Sequence, residues 1–503
     1  MLLAVVGCDR SRQLTLPRDN SLTVAIEAAP LRFDPRVGTD QGSSRVFDLV
    51  YDGLLERGPD LELHPSLATS YQTLDQGLRL RFHLRPGVRF QDGRPFGAED
   101  VAWTIRSLLD GTVLSPKSGA LAVIRRVQVV DPLTVDLQLT EPAGSLPAEL
   151  TNGLGIVPRG STVEEIERRP IGTGPFRVVG RRAESVELDA FPGHWRGAPH
   201  LAHVTLREVP DATTRALELL KGSAQLVVND LPPDAVPALR ADPRFRVIED
   251  PSASFGYLAF RCDDPVLRDV RVRRAIALAI DRPKLIRTIW RGLGLLSDTI
   301  FPPGLWARDE ALGESGALQH DPAAARRLLD EAGHPDPGNG QARLHLVYKT
   351  STNETPRLQA QAIQAMLAEA GIAVEIRTLD FGVLYDDIRR GDFQMFSLTR
   401  TSATDPGLLR LILHSASVPP AGQNRGRYSD PEFDRLIDQA ARLADPAQRR
   451  PLYVRAQEIL ARDLPYVVLM IKKNVAVAPR QLSGYRNCPG GELGSLRDVR
   501  WQR

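Results

Sequence analysis

The chain has 503 residues, 42% hydrophobic and 25% charged, the balance of a soluble globular protein with room for two to four domains. Lys+Arg at 64 nearly cancels Asp+Glu at 62, so the net +2 gives nucleic acid no electrostatic footing. No apolar run approaches the ~18–20 residues of a bilayer span.

In chain order, Leu22-Thr23-Val24-Ala25-Ile26 alternates as a strand and runs into a loop over residues 30–40. Residues 46–55 read as a helix with Phe47, Val50, Tyr51 and Leu54 on one side. Residues 78–84 alternate with an apolar and a basic face, and Arg85-Pro86-Gly87 predicts a turn into a second strand ending at Phe90. Residues 101–109 follow as an amphipathic helix with acids at its start, where the helix dipole favours them. Residues 127–139 form a strand pair broken at Asp131-Pro132. The second half is punctuated by Asp321-Pro322, Asp430-Pro431 and Asp445-Pro446, each an N-cap followed by proline in the first turn. Between them residues 358–370 are helical up to Gly371, residues 372–376 are a strand, and after another helix residues 391–396 are again strand-like. Strand–helix–strand units of this kind build α/β folds with helices over parallel sheets.

Catalytic and metal signatures are thin. Gly172-Thr173-Gly174 lacks a third glycine and runs into Pro175, so it fails as a dinucleotide loop. His194, His200 and His203 are close in sequence, but the strand-like stretch they enter turns neighbours to opposite faces, so no metal or cofactor is expected. His414-Ser415-Ala416-Ser417 sets a base beside a nucleophile, the only footing for a hydrolase. Val5-Val6-Gly7-Cys8 resembles a bacterial lipobox, with Cys8 as the lipidated residue, residues 1–20 as signal remnant and tether, and the true start of the signal upstream of Met1. That reading makes the protein extracytoplasmic, periplasmic and held to the membrane only through lipid. Cys262 and Cys488 are then left as a pair, either bridged or two buried thiols.

An ordered set of segments is far more specific. Pro65-Ser66-Leu67-Ala68, Asp92-Gly93-Arg94-Pro95-Phe96, Gly172-Thr173-Gly174-Pro175-Phe176, Asp269-Val270-Arg271-Val272-Arg273-Arg274-Ala275 and Tyr428-Ser429-Asp430-Pro431-Glu432-Phe433 closely resemble the extracytoplasmic solute-binding proteins of family 5, the peptide/nickel-type receptors of ABC importers, over roughly residues 20–485. The resemblance implies a two-lobe periplasmic-binding-protein-like fold (type II, cluster C) with an extra inserted small domain. Domain I would comprise 21–55, 171–258 and 474–503, domain II 56–170, and domain III 259–473. This layout puts Cys262 and Cys488 near one hinge. The implied function is capture of oligopeptides between closing lobes by a monomer and delivery to an ABC permease and ATPase complex, without catalysis. A nickel chelate, haem or an oligosaccharide is the alternative cargo.

The resemblance implies that dipeptide binders of the family hold the ligand's amino group with an aspartate in the stretch before an Asp-Pro pair. Here Asp405-Pro406 is kept, but Ser402 stands at the aspartate's place and Thr399 replaces a usual aromatic, which points away from dipeptides and towards longer peptides or another small solute. A hydroxyl cannot neutralise an ammonium, whereas Arg400 favours an anion. The ligand-binding candidates are therefore Arg400, Thr401, Ser402 and Asp405, joined by Asn229, Asp230 and the polar pair Asn424-Arg425. Phe33 and Tyr257 read equally as core or as ligand-stacking aromatics.

Overall fold

Two long antiparallel strands, Phe245–Phe260 and Tyr466–Pro479, form the spine of the molecule. The computed structural model describes residues 19–338 and 340–502, so Cys8 and the expected tether lie outside the described residues. Around the spine runs an eleven-stranded mixed sheet. On one side it continues through Met395–Arg400, Leu344–Ser351 and Ile372–Leu379, and on the other through Leu226–Val228, Ser21–Ile26, His203–Glu208, Ser185–Ala190 and Phe176–Arg182. The spine's own register breaks between Pro251 and Phe255 and again between Gly256 and Tyr257. Such breaks bend the strand and free backbone groups for other partners. Here Ala253 N–H donates to the Pro489 carbonyl, and the Ala253 carbonyl accepts from Ala403 N–H, each at 2.7 Å. The crossing point thus grips both the 400–405 loop and the 487–490 loop.

Buried apolar side chains collect accordingly. Leu22, Phe47, Tyr51, Phe176, Leu226 and Leu496 belong to one core, and Phe82, Phe90, Val101, Ile105 and Leu137 to another, around a separate four-stranded sheet. Phe255, Phe396, Phe433 and Tyr453 pack together beyond the crossing point, with a further core of Ile276, Leu329, Tyr348 and Ile363 on the opposite face of the same strands.

Most local signals read from the sequence form the elements they predict. Asp321, Asp430 and Asp445 cap Pro322–Glu331, Pro431–Ala441 and Pro446–Asp463, accepting from Ala324, Phe433 and Ala447 N–H at 2.8, 2.8 and 2.9 Å. The strand pair is Ile124–Asp131 and Thr134–Leu139. Two readings need correction. The first helix is Gln41–Val50, begun by the Asp40 cap rather than at Val46, and it ends where Tyr51 turns extended so that its hydroxyl reaches the Phe33 carbonyl at 2.8 Å. Residues 86–96 fold back as a tight loop joined only by an Arg89–Pro95 bridge, not as a strand ending at Phe90, because Arg85 N–H instead pairs with Leu67 and Gly93 takes φ +90°.

Candidate functional site: a cleft of two chambers

Where the crossing strands meet the loops, a cleft of about 600 Å³ opens between residues 41–59, 145–153, 400–411 and 486–497. A second chamber of about 520 Å³ adjoins it, and Arg400 and Ser402 line both. These volumes suit a small-molecule or short-chain ligand.

The first chamber is acidic. Asp48, Asp52, Glu56, Glu149, Asp405 and Glu492 face Arg57, Arg400, Arg486 and Arg497. Two of the arginines are already engaged: Arg497 lies 3.3 Å from Glu56, and Arg486 lies 2.6 Å from Asp498. Glu56 also receives Arg196 at 2.8 Å. Among the described residues, Asp48, Glu149, Asp405 and Glu492 have no Lys or Arg nitrogen within 4.0 Å. Backbone and hydroxyl donors hold three of them instead. Leu493 N–H donates to Asp48 at 2.8 Å, Gly490 N–H to Glu492 at 3.0 Å, and Ser145 Oγ and Gly407 N–H to Asp405 at 2.7 Å each. Burial, reinforced by the neighbouring Glu492 charge, pushes the Asp48 carboxyl up to about 7. Burial likewise raises Glu492, and burial plus the Asp405 charge raises Glu149. Crowded carboxylates that raise one another's affinity for protons present a field that a cation relieves.

Asp52 shows how the fold sets this wall. Thr173 Oγ1 and Trp195 Nε1 donate to its carboxylate at 2.8 and 3.0 Å. Gly172 and Gly174 flank Thr173 against the end of the first helix. A Cβ on Gly172 would strike the Val50 carbonyl oxygen, and one on Gly174 would crowd the Val50 and Leu49 backbone. The glycines of the former phosphate-loop suspect therefore serve a close backbone approach.

The second chamber is built differently. Trp290, Phe381 and Tyr385 supply aromatic surface beside Arg400 and Arg425, and its lining contains no acid among the described residues. Arg425 is 8% exposed, donates to the Tyr385 hydroxyl at 2.7 Å and lies 4.7 Å from that ring's centroid. Arg400 donates to the Gln423 side-chain oxygen.

Of the residues proposed from sequence, Arg400, Ser402 and Asp405 line the first chamber, and Tyr257, Arg400, Thr401 and Ser402 line the second. The others do not join them. Phe33 is buried in the N-terminal core with the Arg181 guanidinium 3.6 Å from its ring centroid. Asn229 at φ +71° ties Leu226–Val228 to the spine through Asn474 and Val475, while Asp230 sits 3.6 Å from Arg45. Asn424 is fully buried and spends its amide on the Leu413, His414 and Tyr428 carbonyls, leaving its neighbour Arg425 to face the chamber. Cys262 and Cys488 are free thiols, so no bridge joins them. Cys262 packs against the core beyond the crossing point and Cys488 lines the first chamber.

Neither residual chemistry is assembled. The three histidines diverge: His194 is buried 4.0 Å from Asp52, His203 pairs with Asp189 at 2.6 Å, and His200 is exposed. His414 Nδ1 accepts from Ala416 N–H at 3.0 Å, and the Ser415 hydroxyl is held by Asp434, so the imidazole does not meet that nucleophile. Sequence reading missed the acids at 48, 52, 149 and 492 because three segments distant in sequence bring them together.

Comparison with known proteins agrees with this geometry. Residues 62–417 match the model of the bacterial extracellular solute-binding proteins, family 5. Di/tripeptide-binding protein 2 of Pseudomonas aeruginosa is 30% identical over 93% of this chain and 93% of its own. Heme-binding protein A of Haemophilus influenzae is 26% identical over 97% and 95%. The oligopeptide-binding protein AppA of Bacillus subtilis, solved with a nonapeptide, superposes with a TM-score of 0.79 at 23% identity, covering 96% of this chain and 99% of that one. With its large mixed sheet, its cleft beside the long paired strands and a family match across most of its length, this chain belongs to the bacterial extracellular solute-binding proteins of family 5.

Proposed function

We propose that the protein captures short peptides by their amino end in the acidic chamber and delivers them to the permease and ATPase of an ABC importer. The observation that carries this reading is the set of Asp48, Glu149, Asp405 and Glu492, crowded in one cleft with no basic side chain in pairing distance among the described residues. Crowding of partly desolvated carboxylates disfavours their ionised forms, and a ligand ammonium relieves part of that cost. The loss of an aspartate at Ser402 is then offset by Asp405, Glu149 and Glu492 a short way along the same cleft. The peptide specificity of the Pseudomonas relative supports the same cargo class.

Capture in this reading is closure of two lobes. One comprises residues 21–55, 171–258 and 474–503 with the small domain 56–170, the other residues 259–473. The spine's register breaks at 251–257 are the bend, since they lie where the two cleft loops hydrogen-bond to Ala253. No helix among the described residues is long and apolar enough to cross a membrane, and lipid on Cys8 would hold a monomer at the outer face of the membrane.

Native mass spectrometry of gently purified protein lacking residues 1–8 tests the reading. A ladder of peptide masses lost on mild denaturation is the expected result. A single non-peptide mass, or no peptide binding by calorimetry across a tripeptide pool, would overturn peptide capture and leave the family assignment intact.

A further inference from the structure

The small domain, residues 56–170, reaches across to the lobe 259–473 at two separate points. The first is the tip of the hairpin formed by Leu55–Arg57 and Leu63–Pro65. Its turn is closed by bonds from Gly58 N–H to the Glu62 carbonyl and from Leu61 N–H to the Gly58 carbonyl. It holds Leu61 at φ +65°, an uncommon backbone for a bulky residue. Pro59, Asp60 and Glu62 around it are exposed, yet Leu61 is 4% exposed and belongs to the core of Phe301, Leu305, Phe433 and Tyr453. The other buried members of that core all come from the spine or from residues 259–473. The small domain has a core of its own around Phe82 and Ile105, and Leu61 is not part of it.

The second point is the turn at Gly144. Gly144 N–H donates to the Ala441 carbonyl at 3.2 Å, and Arg449 donates back to the Gly144 carbonyl at 2.7 Å and to Ser145 Oγ at 2.8 Å. Arg449 is fully buried, with its guanidinium 5.2 Å from the Trp306 ring centroid and 5.5 Å from that of Tyr453. Among the described residues it has no carboxylate oxygen within 4.0 Å, so a carbonyl and a hydroxyl of the small domain satisfy it instead. A Cβ on Gly144 would strike the Leu443 carbonyl oxygen and crowd that guanidinium, so the glycine is fitted to the opposite lobe. Ser145 in turn donates to Asp405 at 2.7 Å. Glu149, on the next short helix Leu146–Glu149, lines the same chamber as Asp405 and is raised by burial and by the Asp405 charge. The two carboxylates sit on opposite lobes, so bringing them together is opposed by their repulsion.

We infer that the small domain is a clasp, in which the Leu61 plug and the hook of Arg449 on the Gly144 turn hold the two lobes shut against the repulsion between Glu149 and Asp405. The clasp rests on the two-lobe reading above, with the small domain moving together with residues 21–55, 171–258 and 474–503. Its contacts are all made within this chain, so it acts without ligand and sets the resting balance towards the closed form. A ligand cation placed between Glu149 and Asp405 then deepens a closure that the clasp has already favoured.

Small-angle X-ray scattering of the whole protein, dialysed free of small molecules, tests the clasp in wild type, Gly144→Ala and Leu61→Ala. Gly144→Ala is the sharper variant, because this glycine is not at positive φ and the atoms nearest an added Cβ all belong to the opposite lobe. Wild type is expected to scatter as the closed form, and both variants with a larger radius of gyration. Hydrogen exchange links the two points, since the Gly144 amide is bonded across the lobes. Leu61→Ala is expected to speed its exchange at least tenfold while leaving Leu344–Ser351, inside the opposite lobe, unchanged. Should Leu61→Ala loosen that strand as well, Gly144→Ala decides by scattering alone. An open wild type, variants as compact as wild type, or a Gly144 amide indifferent to Leu61→Ala in a folded lobe would overturn the clasp. No step uses a peptide, so a failure of peptide binding in calorimetry would sink the peptide reading and leave these results standing.

Discussion

The two chambers of the cleft share Arg400 and Ser402 and little else. One gathers six carboxylates, several made reluctant to ionise by burial and by each other, and the other gathers guanidiniums and aromatic rings without an acid. The carboxylates of the first chamber raise one another's affinity for protons even though backbone and hydroxyl donors hold several of them. The contrast also explains why the overall charge of +2 was uninformative, since both signs are segregated over a short distance inside a chain that is nearly neutral.

The largest expected way to break the acidic side is mechanical. Gly172→Ala puts a Cβ into the Val50 backbone, where a carbonyl at a helix end cannot swing aside as a flexible side chain would. Overpacking of this sort costs about 1–3 kcal/mol, and the upper end is expected. The strain falls on Thr173 and Asp52, so melting temperature and peptide affinity should fall together. An unchanged melting temperature would mean that Gly172 is not held against Val50.

Next in size is Glu492→Gln, which keeps shape and removes charge. Glu492 is half-buried and takes the Gly490 N–H at 3.0 Å, a bond that the amide oxygen can still accept. Truncating one member of a desolvated charge pair costs about 2–5 kcal/mol, and since the remaining acids still attract the ammonium, roughly a tenfold to hundredfold loss in peptide affinity is expected by calorimetry. An unchanged affinity would mean that the ammonium lies away from Glu492.

Asp48 makes the comparison depend on pH. Its folded carboxyl is raised from 3.8 to about 7, so the folded chain binds this proton more tightly than the unfolded one does. The stability it contributes is present below about 3.8 and is lost as pH rises towards 7. A ligand ammonium prefers the ionised form, and peptide affinity should therefore rise from pH 6 to about 7.5, below the range of about 7.7–8.0 in which the peptide's own α-amino group loses its proton. Asp48→Asn should flatten that rise. A slope that survives Asp48→Asn would assign the titration elsewhere.

How much of this was legible in sequence differs between elements. Aspartates 321, 430 and 445, each before a proline, announced their helices because a cap is a local device: the side chain closes on N–H groups two or three residues away. The first helix was misplaced because Gln41, Gly42, Ser43 and Ser44 look like loop in a reading based on apolar spacing, whereas Asp40 and tertiary packing fix its start. The 400–405 loop stood out as a departure from a familiar pattern, and it does line the cleft. Asn424 and Phe33 misled for the opposite reason. A polar residue in a loop and an aromatic beside a turn look like ligand contacts, but the first satisfies loop carbonyls and the second fills a core. The acidic wall was invisible, since Asp48, Glu149 and Glu492 lie roughly a hundred residues or more apart and only the spine's crossing point brings their segments into one cleft.

The smallest expected effect falls on the border itself. Ser402 is exposed at φ +59° and lines both chambers. Aspartate tolerates that left-handed backbone better than most residues, so Ser402→Asp places a carboxylate where the family resemblance implies an amine-binding one, with little strain. Two effects then oppose each other. The new acid extends the ammonium-binding wall, but it also sits beside Arg400 and offers it an internal counter-ion. A pair at this degree of exposure is worth about 0.2–1 kcal/mol, which converts to a factor of roughly 1.4-fold to fivefold in affinity. Peptide affinity should rise by no more than that factor. A larger gain would mean that Arg400 does not compete for the new acid.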